Sequence, residues 1–156
     1  MSREINGFPV KELEEIFQNS LVESVEFAGK NILLLGGSGF IGSAFKAYLL
    51  YLNETVFSSK PCFVISVDNY TGRKRPEEVV APNLVHIEHD LSQPIEDKLP
   101  DRKIDYIVNS SGNASPQNYS VHSLETIDIS VNAVRNLLRL ARANKAKILN
   151  FSSSEV

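Results

Sequence analysis

The stretch "LLLGGSGFIGSAFKAYLL", residues 33–50, places three glycines at intervals of three residues between an aliphatic run and an amphipathic segment. The run "KNILLLGG" is too short for a lone helix and ends in glycine, which is typical of a strand buried on both faces. Residues 40–52 then follow with apolar side chains at helical spacing. The stretch therefore predicts a strand, a glycine-rich turn and a helix in succession.

Each glycine of this turn has a distinct expected role. Gly36 allows the tight turn out of the strand, Gly39 lets the backbone approach a pyrophosphate, and Gly42 permits close packing of the helix on the sheet. An anion would then bind the free N–H groups at the helix N-terminus, where Phe40 and Ile41 lie. A P-loop needs a lysine directly after the last glycine, and serine stands there. Hydrolysis of a nucleoside triphosphate is therefore not expected.

The rest of the chain continues the alternation of strands and helices. Four further strands are predicted in "PCFVISVDN", "NLVHIEHD", "KIDYIVNSSG" and "AKILNFSSS". Strands that alternate with helices form parallel βαβ units. We therefore expect an α/β fold, a Rossmann-type doubly wound parallel sheet with strand order 3-2-1-4-5, which stops after the fifth strand.

A long helix is predicted over residues 121–143. The side chains expected to face the sheet follow the i, i+3, i+4, i+7 rule and are Leu124, Ile127, Val131, Val134, Leu138 and Ala141. Leu137 and Leu140 fall off this face, and exposed apolar residues of that kind often mark interfaces.

An extra helix is predicted before the glycine motif, over residues 9–21, because apolar residues recur there at helical spacing. Pro9 suits its first turn. We divide the chain into an accessory helix with its linker, residues 1–28, and a dinucleotide-binding domain, residues 29–156.

Composition limits the function classes. The chain has 156 residues, 42% hydrophobic and 22% charged, as in an ordinary globular protein. No segment approaches the ~18–20 apolar residues of a membrane span, and the charged N-terminus does not resemble an export signal, so we expect a cytoplasmic protein. A net charge of −3 argues against a nucleic-acid partner. Cys62 is the single cysteine, so neither a disulfide nor a thiolate metal site is expected, and we predict a buried thiol.

An acidic residue ends the second predicted strand. Dinucleotide-binding folds place an acid there to bind the adenosine ribose, and Asp68 stands at this position. Its distance from Gly36 exceeds the usual ~20 residues, and the polar connection "NETVFSSK" accounts for the surplus. A carboxylate would repel a 2′-phosphate, which favours NAD over NADP. The basic residues 73–75 leave open the alternative that they reach such a phosphate.

These motifs together resemble the extended short-chain dehydrogenases/reductases, which epimerise, dehydrate or decarboxylate nucleotide sugars. The resemblance covers roughly residues 31–156 and is carried by "GGSGFIG", by the pair Asp68-Asn69 and by "HIEHDLSQP". The runs "VDNYTGRKR" and "ASPQNY" look especially like UDP-glucuronate decarboxylases. The resemblance implies that Asp90 and Leu91 lie near the adenine of NAD.

The resemblance also implies roles near the ends of the fourth and fifth strands. Ser153 aligns with the family's catalytic hydroxyl, which hydrogen-bonds the sugar C4 oxygen, and Glu155 with acids that serve elimination in dehydratases. Ser111 lies where the family has a less polar strand end, and Ser130 aligns with an Asn that orients the cofactor.

The family's base, a Tyr-x-x-x-Lys pair, would lie beyond the last residue, as would most of the sugar-nucleotide pocket. We therefore expect the N-terminal part of a larger enzyme, inactive alone, whose parent forms a homodimer through the long helix. The alternative is a non-catalytic dinucleotide-binding module that acts as a sensor or scaffold.

Overall fold

The computed structural model describes residues 3–70, 79–112, 120–121 and 123–152. The strands there are β1 Glu4–Ile5, β2 Phe8–Pro9, β3 Asn31–Leu35, β4 Phe63–Asp68, β5 Leu84–Glu88, β6 Tyr106–Asn109 and β7 Lys147–Asn150. The helices are α1 Val10–Asn19, α2 Leu21–Ser24, α3 Phe40–Thr55, α4 Ser123–Ile127 and α5 Val134–Asn144. Short 3-10 turns cover Val25–Phe27 and Glu96–Lys98, and a π-helical segment, Asp128–Ala133, joins α4 to α5.

The main sheet is parallel and runs in the order β5-β4-β3-β6-β7. Counted from β3 as the first strand, this is 3-2-1-4-5, so the predicted fold class is confirmed. The strand that precedes the glycines is central, with Leu35 paired to Val67 on one side and to Asn109 on the other. The carboxyl ends of all these strands therefore meet at one edge, beside the glycine turn.

Alternate residues of β3 pack into two separate cores. Ile32 and Leu34 face the core that contains α3, whereas Leu33 and Leu35 face the core that contains α5. All four are fully buried. The continuous apolar run is thus explained by helices on both faces of the sheet.

The N-terminal segment contains the predicted helix, as α1, and a hairpin that we did not predict. Asn6 and Gly7 connect β1 to β2 with φ of 52° and 79°, the left-handed conformation that tight hairpin turns require. The Asn-Gly dipeptide was the signal for this turn. Leu13 of α1 is buried in the core that contains α3. The division at residue 28 stays a prediction.

Cys62 is buried, as predicted. Burial raises the pKa of its thiol to about 11. Its backbone N–H donates to Asn53 Oδ1 over 2.8 Å, and Asn53 Nδ2 donates back to the Cys62 carbonyl over 2.9 Å. This pair fixes the end of α3 against the start of β4.

Among the described residues, no helix combines the length and the apolar character that crossing a bilayer requires.

The predicted sheet-facing side of the long helix is wrong. Ala141 is buried against the sheet as predicted, but so are Ala133 and the two residues expected to fall off this face, Leu137 and Leu140. The expected core residues Leu124, Ile127, Val131 and Leu138 are instead 48–73% exposed. Two apolar stripes share this helix, and nothing in their spacing decides which of them meets the sheet. The π-helical segment also shifts the phase of the stripe along the helix.

This reversal predicts opposite effects of two neighbouring substitutions. Leu137→Ala should lower the free energy of unfolding by about 2–5 kcal/mol, because it leaves a cavity in the core. Leu138→Ala, the matched control on the exposed stripe, should change it by about 0.5 kcal/mol at a protein concentration at which the chain is monomeric. Denaturant unfolding of both variants measures the difference, and equal losses would contradict the assignment of faces.

Candidate functional site

The glycine turn begins at the end of the central strand. Gly36 has φ of +72°, a conformation that glycine adopts without strain. Its N–H and that of Gly37 donate to the Val67 carbonyl over 2.9 and 3.2 Å, so the turn is anchored on the neighbouring strand. The Gly39 N–H donates to the Gly36 carbonyl over 2.9 Å and closes the turn.

Close approaches exclude a side chain at three glycines. A Cβ on Gly36 would lie 2.7 Å from the Ser110 carbonyl oxygen, and one on Gly42 would lie 2.1 Å from the Gly36 carbonyl oxygen. A Cβ on Gly37 would lie 2.0 Å from Ser66 Oγ. The last approach was not foreseen from the sequence, because it depends on the register between β3 and β4. The turn is therefore packed against β4, β6 and the start of α3.

Helix α3 begins directly after the turn and leaves its first N–H groups open. Gly39 is the N-cap residue, and no side chain of the described residues caps it. The first-turn amides, at Phe40 and Ile41, have no partner within the helix by its geometry. Their side chains are 86% and 45% exposed. This end of the helix can therefore accept an anion.

Asp68 ends β4 beside this helix end. Its side chain is buried, with the residue only 7% exposed. Ser38 donates to Asp68 Oδ2 twice, from its backbone N–H over 3.1 Å and from its Oγ over 2.5 Å. The Tyr70 N–H donates to Oδ1 over 2.9 Å. The carboxylate is thus held next to the glycine turn, and the following residue, Asn69, is half-buried.

The two residues expected near the adenine lie just beyond β5. The His89 N–H donates to the Asp68 carbonyl over 3.0 Å, which brings this segment beside Asp68. Asp90 is exposed, and its Oδ1 accepts the Ser92 N–H over 3.0 Å in a turn. Leu91 is buried in the core under the sheet.

The ends of β6 and β7 are joined by an amide pair that sequence reasoning missed. Asn109, 3% exposed, donates from Nδ2 to Asn150 Oδ1 over 2.7 Å. Its Oδ1 accepts the Ser111 N–H over 3.2 Å and the Ser111 hydroxyl over 2.5 Å. The signal was available, because both strands end in Asn and the two residues are register partners.

The remaining candidates are placed elsewhere. Ser130 is exposed and lies beside Val131 and Leu138 on the outer stripe of the helix, and the structure does not bring it to the glycine turn. Ser153 and Glu155 lie outside the described residues, as do the basic residues 73–75.

The close approach at Gly36 predicts a measurable difference between two glycines of similar backbone conformation. Gly7→Ala should lower the free energy of unfolding by about 1–2 kcal/mol, the cost of a left-handed conformation for alanine. No steric cost is added, because nothing lies within 4 Å of the added Cβ. Gly36→Ala should lower the free energy of unfolding by about 1–3 kcal/mol more than Gly7→Ala does, because its Cβ also meets the backbone of residue 110. Thermal unfolding compares them, and an equal loss of stability would contradict this packing.

The sequence model of the NAD dependent epimerase/dehydratase family matches residues 32–156. UDP-glucuronic acid decarboxylase 2 of Arabidopsis thaliana is 35% identical over 133 residues, which cover 82% of this chain and 26% of the relative. This similarity confirms the resemblance to that family.

Two solved structures share the fold. An epimerase of Methanothermobacter thermautotrophicus matches with a TM-score of 0.69 at 16% sequence identity. The match covers 88% of this chain and 39% of the epimerase chain. The UDP-N-acetylglucosamine 4-epimerase of Methanobrevibacter ruminantium M1, in complex with UDP-N-acetylmuramic acid, has a TM-score of 0.60 at 26% identity. The match covers 81% of this chain and 39% of the chain of that 4-epimerase.

The chain thus spans about a quarter of the length of the Arabidopsis relative, and the matched part contains the glycine turn, Asp68 and the strand ends described above. It belongs to the NAD dependent epimerase/dehydratase family.

Proposed function

We propose that this chain is the cofactor-binding part of an NAD-dependent enzyme that modifies a nucleotide sugar. The reaction would be an epimerisation, a 4,6-dehydration or a decarboxylation that proceeds through transient oxidation at the sugar C4. The observation that carries the proposal is the buried carboxylate of Asp68, held by Ser38 beside the open N-terminus of α3. A phosphate group and a ribose joined to it could be bound at these two neighbouring points.

The residues present fit the cofactor. Close packing at Gly36 and Gly42 sets the start of α3 directly on the end of β3, and no side chain of the described residues caps the helix at Gly39. The amides of Phe40 and Ile41 would hold the pyrophosphate, and the Asp68 carboxylate would accept hydrogen bonds from the ribose hydroxyls.

The choice of NAD over NADP follows from charge. The 2′-phosphate of NADP would place negative charge next to the Asp68 carboxylate. The two charges would repel each other strongly, because Asp68 is only 7% exposed and is poorly screened by water. Asn69 and Asp90, in the segments that follow β4 and β5, would contact the adenosine, with Leu91 in the core below it.

Other residues of this chain would serve the sugar side. When bound, NAD supplies a hydride acceptor for the C4 carbon and afterwards returns the hydride. Ser153 would hydrogen-bond the C4 oxygen and Glu155 would move a proton during elimination, as their alignment implies. Ser111 would contact the cofactor from the end of β6, and its hydroxyl is already oriented by Asn109.

The parts that complete the reaction are assigned by resemblance to sequence beyond residue 156. These are the Tyr-x-x-x-Lys base and most of the pocket for the nucleotide sugar. The cytoplasmic location and the lack of a nucleic-acid partner remain predictions from composition.

We further propose that the parent enzyme is a homodimer. The exposed apolar stripe of the long helix, residues 123–144, would pack against the same stripe of the partner protomer. The stripe exposes Leu124, Ile127, Val131 and Leu138, residues spaced by three, four and seven as in a helix seam. Its start carries Glu125 and Asp128, whereas its end carries Arg135, Arg139 and Arg142. A two-fold axis would place the acidic start of one helix against the basic end of the other.

The cofactor site predicts tight binding of NADH that depends on Asp68. Titration of the purified protein with NADH, followed by nucleotide fluorescence, should saturate, and Asp68→Ala should raise the Kd at least tenfold, or about 1.4 kcal/mol. Asp97→Ala removes an exposed carboxylate from the 3-10 turn Glu96–Lys98 and is the matched control, expected to leave the Kd unchanged.

Failure of the unmodified protein to bind NADH under any condition would contradict the proposal. Tight binding together with no turnover of any nucleotide sugar by the full-length parent would instead favour the sensor or scaffold module.

The paired stripe predicts a dimer that one charge disrupts. Leu138→Glu should raise the dimer dissociation constant about tenfold or more, because it places a charged carboxylate in an apolar seam from which water is excluded. Val22→Glu changes an exposed valine on α2 and should leave the dimer intact. Sedimentation equilibrium measures both variants, and an unmodified protein that stays monomeric at all concentrations would contradict the pairing.

A further inference from the structure

Ser38 lies at the centre of the glycine turn and contacts Asp68 twice. Its backbone N–H and its hydroxyl both donate to the same carboxylate oxygen, Oδ2, over 3.1 and 2.5 Å. Ser38 follows β3, whereas Asp68 ends β4. The pair therefore joins two different strands at the edge where the cofactor is proposed to bind.

The second carboxylate oxygen is held from the other side. The Tyr70 N–H, two residues along the chain, donates to Oδ1 over 2.9 Å, and Tyr70 has φ of 53°. With donors on both oxygens, rotation of the Asp68 carboxylate would break at least one charge-assisted hydrogen bond. Its plane is thereby fixed relative to the glycine turn.

The position of Ser38 is itself fixed by its neighbour. Gly37 lies so close to Ser66 that an added Cβ would be 2.0 Å from Ser66 Oγ, and Ser66 is 4% exposed on β4. Both Gly36 and Gly37 also donate to the Val67 carbonyl. The turn is thus seated on β4, and its first side chain beyond the glycines reaches Asp68.

From these contacts we propose that Ser38 is a positioning residue for cofactor specificity. Its hydroxyl holds the Asp68 carboxylate in the orientation that accepts a hydrogen bond from a hydroxyl of an unphosphorylated adenosine ribose. The inference rests on the proposed function, because it assigns to Asp68 the binding of that ribose. It adds a residue that acts only through Asp68 and never touches the cofactor with its side chain.

A substitution series at position 38 tests this role. Ser38→Ala removes the hydroxyl but keeps the backbone N–H, and it should raise the Kd for NADH about tenfold, the loss expected for one hydrogen bond to a charged group. Ser38→Thr keeps a hydroxyl and should restore the Kd to within about threefold of the unmodified protein, well short of that tenfold loss.

Titration with NADPH distinguishes two explanations for weaker NADH binding in Ser38→Ala: a misplaced Asp68 carboxylate and a distorted glycine turn. The two nucleotides share the pyrophosphate, so a distorted turn would weaken both equally. A loss that acts through Asp68 should weaken NADH alone, and the preference for NADH over NADPH should fall about tenfold in Ser38→Ala.

A double-mutant cycle with Asp68→Ala completes the test. In that background Ser38→Ala should cause no further loss of NADH affinity, because the group through which it acts is gone. Unchanged NADH affinity in Ser38→Ala, or a full additional loss in the Asp68→Ala background, would overturn the inference while the proposed function stands. Absence of NADH binding in the unmodified protein would instead overturn the proposed function, and this inference with it.

Discussion

The close approach of helix α3 to the end of the central strand is the constraint on which the site depends. The helix can begin there only because residue 42 has no side chain, since a Cβ would lie 2.1 Å from the carbonyl oxygen of Gly36. This approach directs the open amides at the helix start towards the edge where all strands of the parallel sheet end. The same turn also lies against the ends of β4 and β6, so the chemistry of neighbouring strands is brought to one point.

Local patterns predicted the five strands of the parallel sheet, because each is a short apolar run followed by glycine or a polar residue, but they did not predict the hairpin of β1 and β2. The burial of the long helix could not be predicted in the same way. Leu137 and Leu138 are adjacent, yet the first is 2% and the second 52% exposed. Both belong to regular apolar stripes, and the selection between them depends on packing against the sheet, which helical periodicity does not report.

Some residues of the candidate site could be predicted from their position in the sequence, whereas the contacts between them could not. Asp68 was predictable because the end of the second strand is a fixed place in a dinucleotide-binding fold. Its partner Ser38 was not, since their contact spans 30 residues and depends on the seating of Gly37 over Ser66. The amide pair of Asn109 and Asn150 likewise requires the parallel register of β6 and β7.

Amide hydrogen exchange with and without NADH tests most directly whether the glycine turn and Asp68 form one dinucleotide site. We expect slower exchange on addition of NADH at residues 38–42, in the glycine turn and the first turn of α3, and at residue 70. Exchange in α1, on the far side of α3, should stay the same. Protection confined to other parts of the chain, or none at all despite saturating NADH, would contradict the account.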